Sequence, residues 1–418
     1  MSAPASSKIR IPGLQEQAYP RRVSISPPSV RIYADNAATS VPCPEVLQEY
    51  VNTSLSAFGN PSSLHIAGRM GHEALEWARV TTAEYMAVPP STVYFTSCGT
   101  ESNNIAIRGV MCKMKAIGRP MIVTSAVEHS SVRRTAEKVA GPGNHIMVPV
   151  DGRGYINAEE FKQILKSNAD KIGMVSIILA QNEVGTLQSL PKLVRICRQI
   201  LGAEIPFHTD ATQAFGKYYI EPETLGVDLM TASAHKYHGP RGVGILYAKP
   251  NILDPEMIPY TGGGQERGCR SGTENVPAIV AATVALDRML GDADLYRERK
   301  SRVRAMRDML VSKLMSRIPG TTVNGDPVRG IYNLVSISLP GGKGAEIVTR
   351  LSTYGICVGS GSACSKGRPS EGMLAMGKTT DQIRGTLRIS LSEYNTVGEM
   401  QQLADAIEQA WKVLTRRP

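Results

Sequence analysis

From Ile32 onward, short apolar runs alternate along the chain with stretches whose apolar residues return every three to four positions. The runs at 93–96, 121–125, 145–148, 174–180, 206–209, 229–232 and 244–248 read as strands. The stretches at 44–56, 68–86, 101–115, 130–139, 157–166 and 190–201 read as helices. Strand and helix in alternation are βαβ units, so the pattern predicts an α/β fold built on a mainly parallel seven-stranded sheet with helices on both faces. Ligands in such sheets bind beyond the carboxyl ends of the strands. A helix over 276–290 leads into another over 295–317, which Pro319-Gly320 stops. Strands at 333–339, 356–358 and 386–390, with helices at 344–353 and 396–415, then form a smaller α/β unit. The expected organisation is an extension over 1–31, a large unit over 32–285 and a small one over 286–418.

The net charge of +10 raises nucleic acid as a partner, but its location argues against one. Much of it falls on Arg297, Arg299, Lys300, Arg302, Arg304 and Arg307 of the 295–317 helix. There Leu295, Val303, Met306, Leu310 and Leu314 mark a buried stripe, which makes the basic residues its solvated face. Aromatics are only 5% of the chain and do not interleave with the basic residues, so no stacking platform for bases is expected. No apolar run approaches the ~18 residues of a membrane span. The seven cysteines include no Cys-x-x-Cys pair, which argues against a structural zinc site or a disulfide framework and for a reducing compartment. Residues 1–31 are rich in Ser and Pro and lack a secretory apolar core. The cytoplasm is the expected location, or the mitochondrial matrix if that extension is a transit peptide.

Chemistry concentrates at the ends of the predicted strands. Lys236, in Ser233-Ala-His-Lys-Tyr-His-Gly-Pro240, follows the 229–232 strand, and Asp210 closes the strand before it. A lysine amine can form a Schiff base with pyridoxal phosphate, while a carboxylate on the pyridine nitrogen keeps the ring an electron sink. Ser233 and His235 stand where they can donate to the phosphate. Gly99 and Thr100 open the 101–115 helix, whose first N–H groups form an anion site. His129 ends the 121–127 stretch and suits ring stacking or proton transfer. Asn182 could bond the phenolic oxygen or a substrate carboxylate, and Gln213 the same oxygen. Arg388, on the 386–390 strand, offers a two-pronged guanidinium for an α-carboxylate. Cys364 lies in the loop Gly359-Ser-Gly-Ser-Ala-Cys-Ser-Lys-Gly367, where Lys366 and Arg368 would favour the thiolate and the flexible flanks would let it travel. Cys112, Cys197 and Cys357 fall on helix or strand patterns and read as packing.

With Tyr33-Ala-Asp-Asn-Ala-Ala-Thr39, Phe58-Gly-Asn-Pro-Ser-Ser-Leu-His65, Glu128-His129, Asn182-Glu-Val-Gly185 and Gly262-Gly-Gly-Gln-Glu-Arg267, these motifs stand in one order. Over about residues 32–410 the chain resembles the NifS/IscS-type cysteine desulfurases, within the class V aminotransferase group of fold-type I enzymes. The resemblance implies a homodimer using pyridoxal phosphate on L-cysteine. Lys236 would carry the cofactor and remove the Cα proton, with Asp210 on the ring nitrogen, His129 on the ring face and Gln213 on the phenolic oxygen. Gly99, Thr100, Ser233 and His235 would hold the phosphate, joined by Thr273 from the second subunit. Arg388 and Asn182 would hold the substrate carboxylate, and Cys364 would take the sulfur as a persulfide for an iron–sulfur scaffold or sulfur-carrier protein. A selenocysteine lyase, a class V lyase or transaminase for another amino acid, and an idle sulfur carrier with the same fold are the alternatives.

Overall fold

The computed structural model describes residues 29–254, 258, 260–361 and 369–415. The strands are β1 (Ile32–Ala34), β2 (Val93–Thr96), β3 (Met121–Ser125), β4 (His145–Val148), β5 (Ile172–Ser176), β6 (Phe207–Asp210), β7 (Leu229–Ser233), β8 (Gly244–Ala248), β9 (Thr322–Asn324), β10 (Leu334–Ser338), β11 (Ile356–Ser360) and β12 (Thr386–Ser390). Seven of them form one sheet in the order β2-β8-β7-β6-β5-β3-β4. Only β8 runs against its neighbours, pairing antiparallel with both β2 and β7. In consequence β2, β3, β5, β6 and β7 all point their carboxyl ends the same way, and the polar motifs leave the sheet from one edge. The strands β3, β5, β6, β7 and β8 are buried at every position, which is why they read as continuous apolar runs rather than alternating ones.

Local chemistry explains where the helices begin and end. Helix Ile66–Met86 starts where His65 accepts from the Gly68 N–H and ends at Ala87 in the left-handed region. Helix Ala293–Arg317 starts at Asp292, whose carboxylate accepts from the Asp294 and Leu295 N–H groups. Helix Val276–Leu290 packs in the core of the large sheet, whereas Val303, Met306, Leu310 and Leu314 of the next helix pack in a second core.

That second core is built on a five-stranded sheet in the order β1-β11-β12-β10-β9. Strand β1, counted with the large unit in the sequence reading, pairs in parallel with β11, Ile32 opposite Ile356. Its three residues are too few to carry a periodic signal. Residues 35–41 then pass back across the carboxyl edge of the large sheet as a strap. Ser40 joins them to the Lys236 segment: its N–H donates to the His235 carbonyl at 2.8 Å, and its Oγ accepts from the His238 N–H at 2.7 Å. The bond holds His238 in a left-handed backbone conformation, φ 69°.

Three local expectations differ from what is seen. Leu295 is exposed, and Arg307 is buried on the apolar side of its helix. The Arg307 guanidinium is accommodated by the Ile331 and Pro327 carbonyls at 2.9 Å and by Asp308. Cys112 is exposed rather than packed, whereas Cys197 is buried. Among the described residues no helix is long and apolar enough to cross a membrane.

Candidate active site

One cavity of about 380 Å³ opens where the carboxyl edge of the large sheet meets the strap and β12. Gly99, Thr100, His129, Asn182, Asp210, Gln213, Ser233, His235, Lys236 and Arg388 all line it. These residues come from six separate stretches of sequence, and the fold brings them to one place. Thr273 is exposed and does not line this cavity. Cys364 lies outside the described residues.

Lys236 Nζ donates to the Ala37 and Ala38 carbonyls of the strap, at 2.7 and 2.8 Å. The Asp210 carboxylate accepts from the Thr212 N–H at 2.9 Å through one oxygen and from Asn103 Nδ2 at 2.8 Å through the other. Asn103 Nδ2 also donates to Ser131 Oγ at 2.8 Å, and Ser131 Oγ lies 2.7 Å from His129 Nδ1. The Ser131 backbone N–H donates to that same nitrogen at 3.2 Å, which makes Nδ1 an acceptor and leaves the proton of the neutral ring on Nε2. Burial pushes the His129 imidazole below its ordinary value, with a smaller contribution from Lys236, while Asp210 pulls the other way. His235 is held down to about 4 by burial and by the charges of Lys236, Lys217 and Arg241, so its ring is neutral near pH 7.

The opposite wall belongs to the small unit. Arg388 is 6% exposed and reaches the Asn182 carbonyl at 3.1 Å and Asp35 Oδ1 at 3.0 Å. Among the described residues its Nε is buried without a hydrogen-bond partner, as is Asn182 Oδ1. Polar atoms buried in this way are costly, and a ligand that pairs with them offsets that cost.

The residues fit pyridoxal phosphate. At one end, helix Gly99–Ala116 presents its first turn to the cavity beside Thr212 and Ser233. A Cβ on Gly99 would stand 3.1 Å from Thr212 Oγ1 and 3.5 Å from Ser233 Cβ, so a side chain would fill the cradle that glycine leaves for a phosphate. At the other end the lysine and carboxylate that the ring chemistry requires line the same walls.

Asp35, Asn103, Ser131 and the two strap carbonyls were not foreseen as parts of the site. Asn103 and Ser131 meet across 28 residues and Asn103 meets Asp210 across 107, so only the tertiary fold relates them. A polar residue buried one turn into a helix, as Asn103 is, was the available signal.

The sequence pattern of the aminotransferase class-V family matches residues 32–403. The chain belongs to that family. Among class-V relatives, a protein named cysteine desulfurase from Cereibacter sphaeroides is 37% identical over 383 residues, 90% of this chain and 95% of its own. One named cysteine desulfurase IscS from Methanosarcina thermophila is 33% identical over 390 residues, 92% of this chain and 93% of its own. A solved structure described as a NifS-like protein superposes with a TM-score of 0.84 at 35% identity, covering 92% of this chain and all of that one. The mostly parallel seven-stranded sheet and the second α/β unit are the fold of these class-V relatives, as the sequence resemblance implied.

Proposed function

We propose that the chain is a pyridoxal-phosphate-dependent cysteine desulfurase, converting L-cysteine to L-alanine and taking the sulfur onto Cys364 as a persulfide. The observation that carries this reading is the convergence of Lys236, Asp210, the Gly99–Thr100 helix start and Arg388 on one cavity. The names of the class-V relatives favour it over a selenocysteine lyase or a general transaminase.

When bound, pyridoxal phosphate supplies a ring that accepts the electron pair released at the substrate Cα. Lys236 Nζ is the amine that would hold it and the base that would take the substrate Cα proton. Asp210, fixed through both oxygens, is the counter-charge for a protonated ring nitrogen. His129, neutral with its proton on Nε2, gives a flat face to stack on and a proton to share. Thr100, Ser233 and His235 would hold the phosphate with the Gly99 turn, and Gln213 the phenolic oxygen. Arg388 Nε–H and the Asn182 side-chain NH2 would donate to the substrate carboxylate, orienting the Cα–H bond, and Asn182 Oδ1 would be left to accept from the substrate amine. In the sulfur step the Cys364 thiolate would form the S–S bond as the substrate Cβ–S bond breaks, the bonding pair would stay on the carbon skeleton, and protons returned to Cβ and Cα would release it as alanine.

A homodimer belongs to this reading. Helices Pro44–Ser56 and Ile66–Met86 expose Leu47, Val51, Leu55, Ile66 and Trp77, and the turn between them exposes Phe58 and Leu64, the latter at 92%. An apolar surface of that extent favours a second copy as its cover. Thr273 would then complete the phosphate site of the opposite subunit. The persulfide would pass to an acceptor protein, an iron–sulfur scaffold or a sulfur carrier.

The test is alanine release from L-cysteine, with and without dithiothreitol, by the wild type and by Cys364→Ser, with selenocysteine run in parallel. Alanine from the wild type alone is the expected result. No alanine from L-cysteine, or equal alanine from both proteins, would overturn the assignment.

A further inference from the structure

Lys217 takes no part in the chemistry above, yet it is only 4% exposed and lies beside the site. With Lys236 it lines a void of about 20 Å³, room for little more than one water, on the small-unit side of the large cavity. Among the described residues its hydrogen bonds both go to Gln213: Nζ donates to the Gln213 carbonyl at 2.9 Å and to Gln213 Oε1 at 3.3 Å. At the other end of the same amide, Gln213 Nε2 donates to the Ala37 carbonyl at 2.9 Å. Lys236 Nζ uses that carbonyl too.

A lysine donates to both oxygens whether charged or neutral, so Gln213 must turn its oxygen toward Lys217 and its nitrogen toward the strap. One amide hydrogen goes to Ala37. The second remains for an acceptor in the large cavity, which Gln213 lines. Nothing intrinsic to a glutamine selects that orientation, because its two ends have nearly the same shape. Lys217 selects it.

We propose that Lys217 is a positioning residue: it locks the Gln213 amide nitrogen-side-in, so that Gln213 donates to the phenolic oxygen of bound pyridoxal phosphate and eases loss of the proton from the Lys236 nitrogen. The proposal rests on the pyridoxal phosphate reading of the site. Burying a lysine is otherwise a destabilising choice, since its surroundings push it down to about 7 through desolvation, with Lys236 and Arg388 adding repulsion. The other charged or titratable groups facing it are Arg299, Glu393 and His238, which line the same void. Lys217 pairs with none of these in an ion pair among the described residues. A hydrophobic residue would fill the position without that cost, so the donor itself is what the site gains.

Without Lys217 the Gln213 oxygen loses its donor and only the Ala37 carbonyl still holds the nitrogen side, so the amide turns more readily and can present its oxygen to the phenolic oxygen. A partly negative oxygen that loses its donor holds the neighbouring Lys236 proton more tightly. Removing one hydrogen bond to a charged group should raise the pH at which that proton leaves by about one to two units.

The experiment is a pH titration of the bound cofactor's visible absorbance in the full-length holoenzyme, without substrate, for the wild type, Lys217→Met, Lys217→Gln, Gln213→Leu and the Lys217→Met/Gln213→Leu pair. The midpoint should rise in Lys217→Met and in Gln213→Leu, and the pair should rise no further than Gln213→Leu alone. Lys217→Gln keeps a donor and should stay within about 0.3 units of the wild type. An unshifted Lys217→Met overturns the proposal, and so does a further rise in the pair, which would mean that Lys217 acts directly by its charge. Should Lys217→Met fail to accumulate, an unshifted Gln213→Leu or a shifted Lys217→Gln overturns it just as well. A wild type with no absorbing cofactor would instead defeat the functional reading beneath it.

Discussion

Replacing Glu266 with alanine should open the free edge of the large sheet. Strand β2 is outermost, and side chains rather than another strand satisfy its outer edge. Glu266 Oε2 accepts from the Phe95 N–H at 2.8 Å, and the Val93 carbonyl accepts from Arg79 at 2.9 Å and from Arg267 at 2.6 Å. Arg79 grips the Glu266 carboxylate through two parallel bonds of 2.8 and 2.7 Å, with both side chains nearly sealed from water, at 4% and 0% exposure. In E266A the guanidinium keeps Glu76 and the Val93 carbonyl but loses its buried counter-charge, a loss of about 3–5 kcal/mol. The orphaned Phe95 N–H contributes part of a further ~1–3 kcal/mol, so about 4–6 kcal/mol in all is expected. Backbone relief does not offset this, because alanine is no easier than glutamate at the φ of 47° found there. Urea unfolding followed by far-UV circular dichroism at fixed protein concentration reads the effect. Unfolding rates should accompany the midpoints, since a chain of this size need not unfold in two states. Removing both charges in R79M/E266A should be milder than E266A alone, because the uncompensated charge is gone. An E266A protein within about 1 kcal/mol of the wild type, or a double variant no better than the single, would refute the argument.

Three further outcomes follow from the geometry. R388K keeps the charge but cannot span Asp35, the Asn182 carbonyl and a substrate carboxylate together, so kcat/KM for L-cysteine should fall about 10- to 100-fold with cofactor content unchanged; steady-state kinetics at wild-type values would contradict it. Gly216 has φ 75°, and a Cβ there would stand 2.5 Å from Tyr237 Cγ, so G216A should lose about 2–5 kcal/mol and, because Tyr237 follows Lys236, bind less cofactor; unfolding midpoints and absorbance per chain check both. Burial alone would raise the Asp326 carboxyl, but the Arg329 and Val328 N–H groups and the Arg329 guanidinium outweigh it and hold it down to about 2. A carboxyl depressed on folding stabilises the protein above its unfolded value of about 4 and ceases to as pH falls through 2, so D326N should flatten acid unfolding across that window; parallel acid-unfolding curves would exclude it.

The large sheet was legible because its buried strands leave continuous apolar runs and its helices keep clean faces; helices Pro44–Ser56, Leu190–Leu201 and Val276–Leu290 run as their periodicity predicts. Strand β5 was drawn too long and too late because 177–180 stay apolar and bonded to the next strand, the Ile177 N–H to the His208 carbonyl, after regular pairing ends. Arg307 was misplaced by its residue type. Its position, four after Val303 and three before Leu310, puts it on the buried stripe, and the carbonyls of residues 327 and 331, with the neighbouring Asp308 carboxylate, make a guanidinium tolerable there. The cavity residues were legible where they end strands. Lys217 and Ser131 were not, since what gives each its place is a contact rather than a motif.

The parallel pairing of β1 with β11 also sets a clock on synthesis. Ile32 waits for Ile356, and Asp35 for Arg388, a separation of 353 residues. At roughly 5–20 residues per second, several tens of seconds pass between the emergence of the strap and that of the strand that anchors it. The strand that ends at Asp210 and the turn that bears Lys236 are long out of the ribosome by then, but the strap whose carbonyls receive Lys236 Nζ is held only on the Ser40 and Gln213 side, not yet by β11 and β12. Completion of the pocket is thus deferred to the last stage of translation, and a chain released before β12 would carry the lysine and the carboxylate without the wall that faces them.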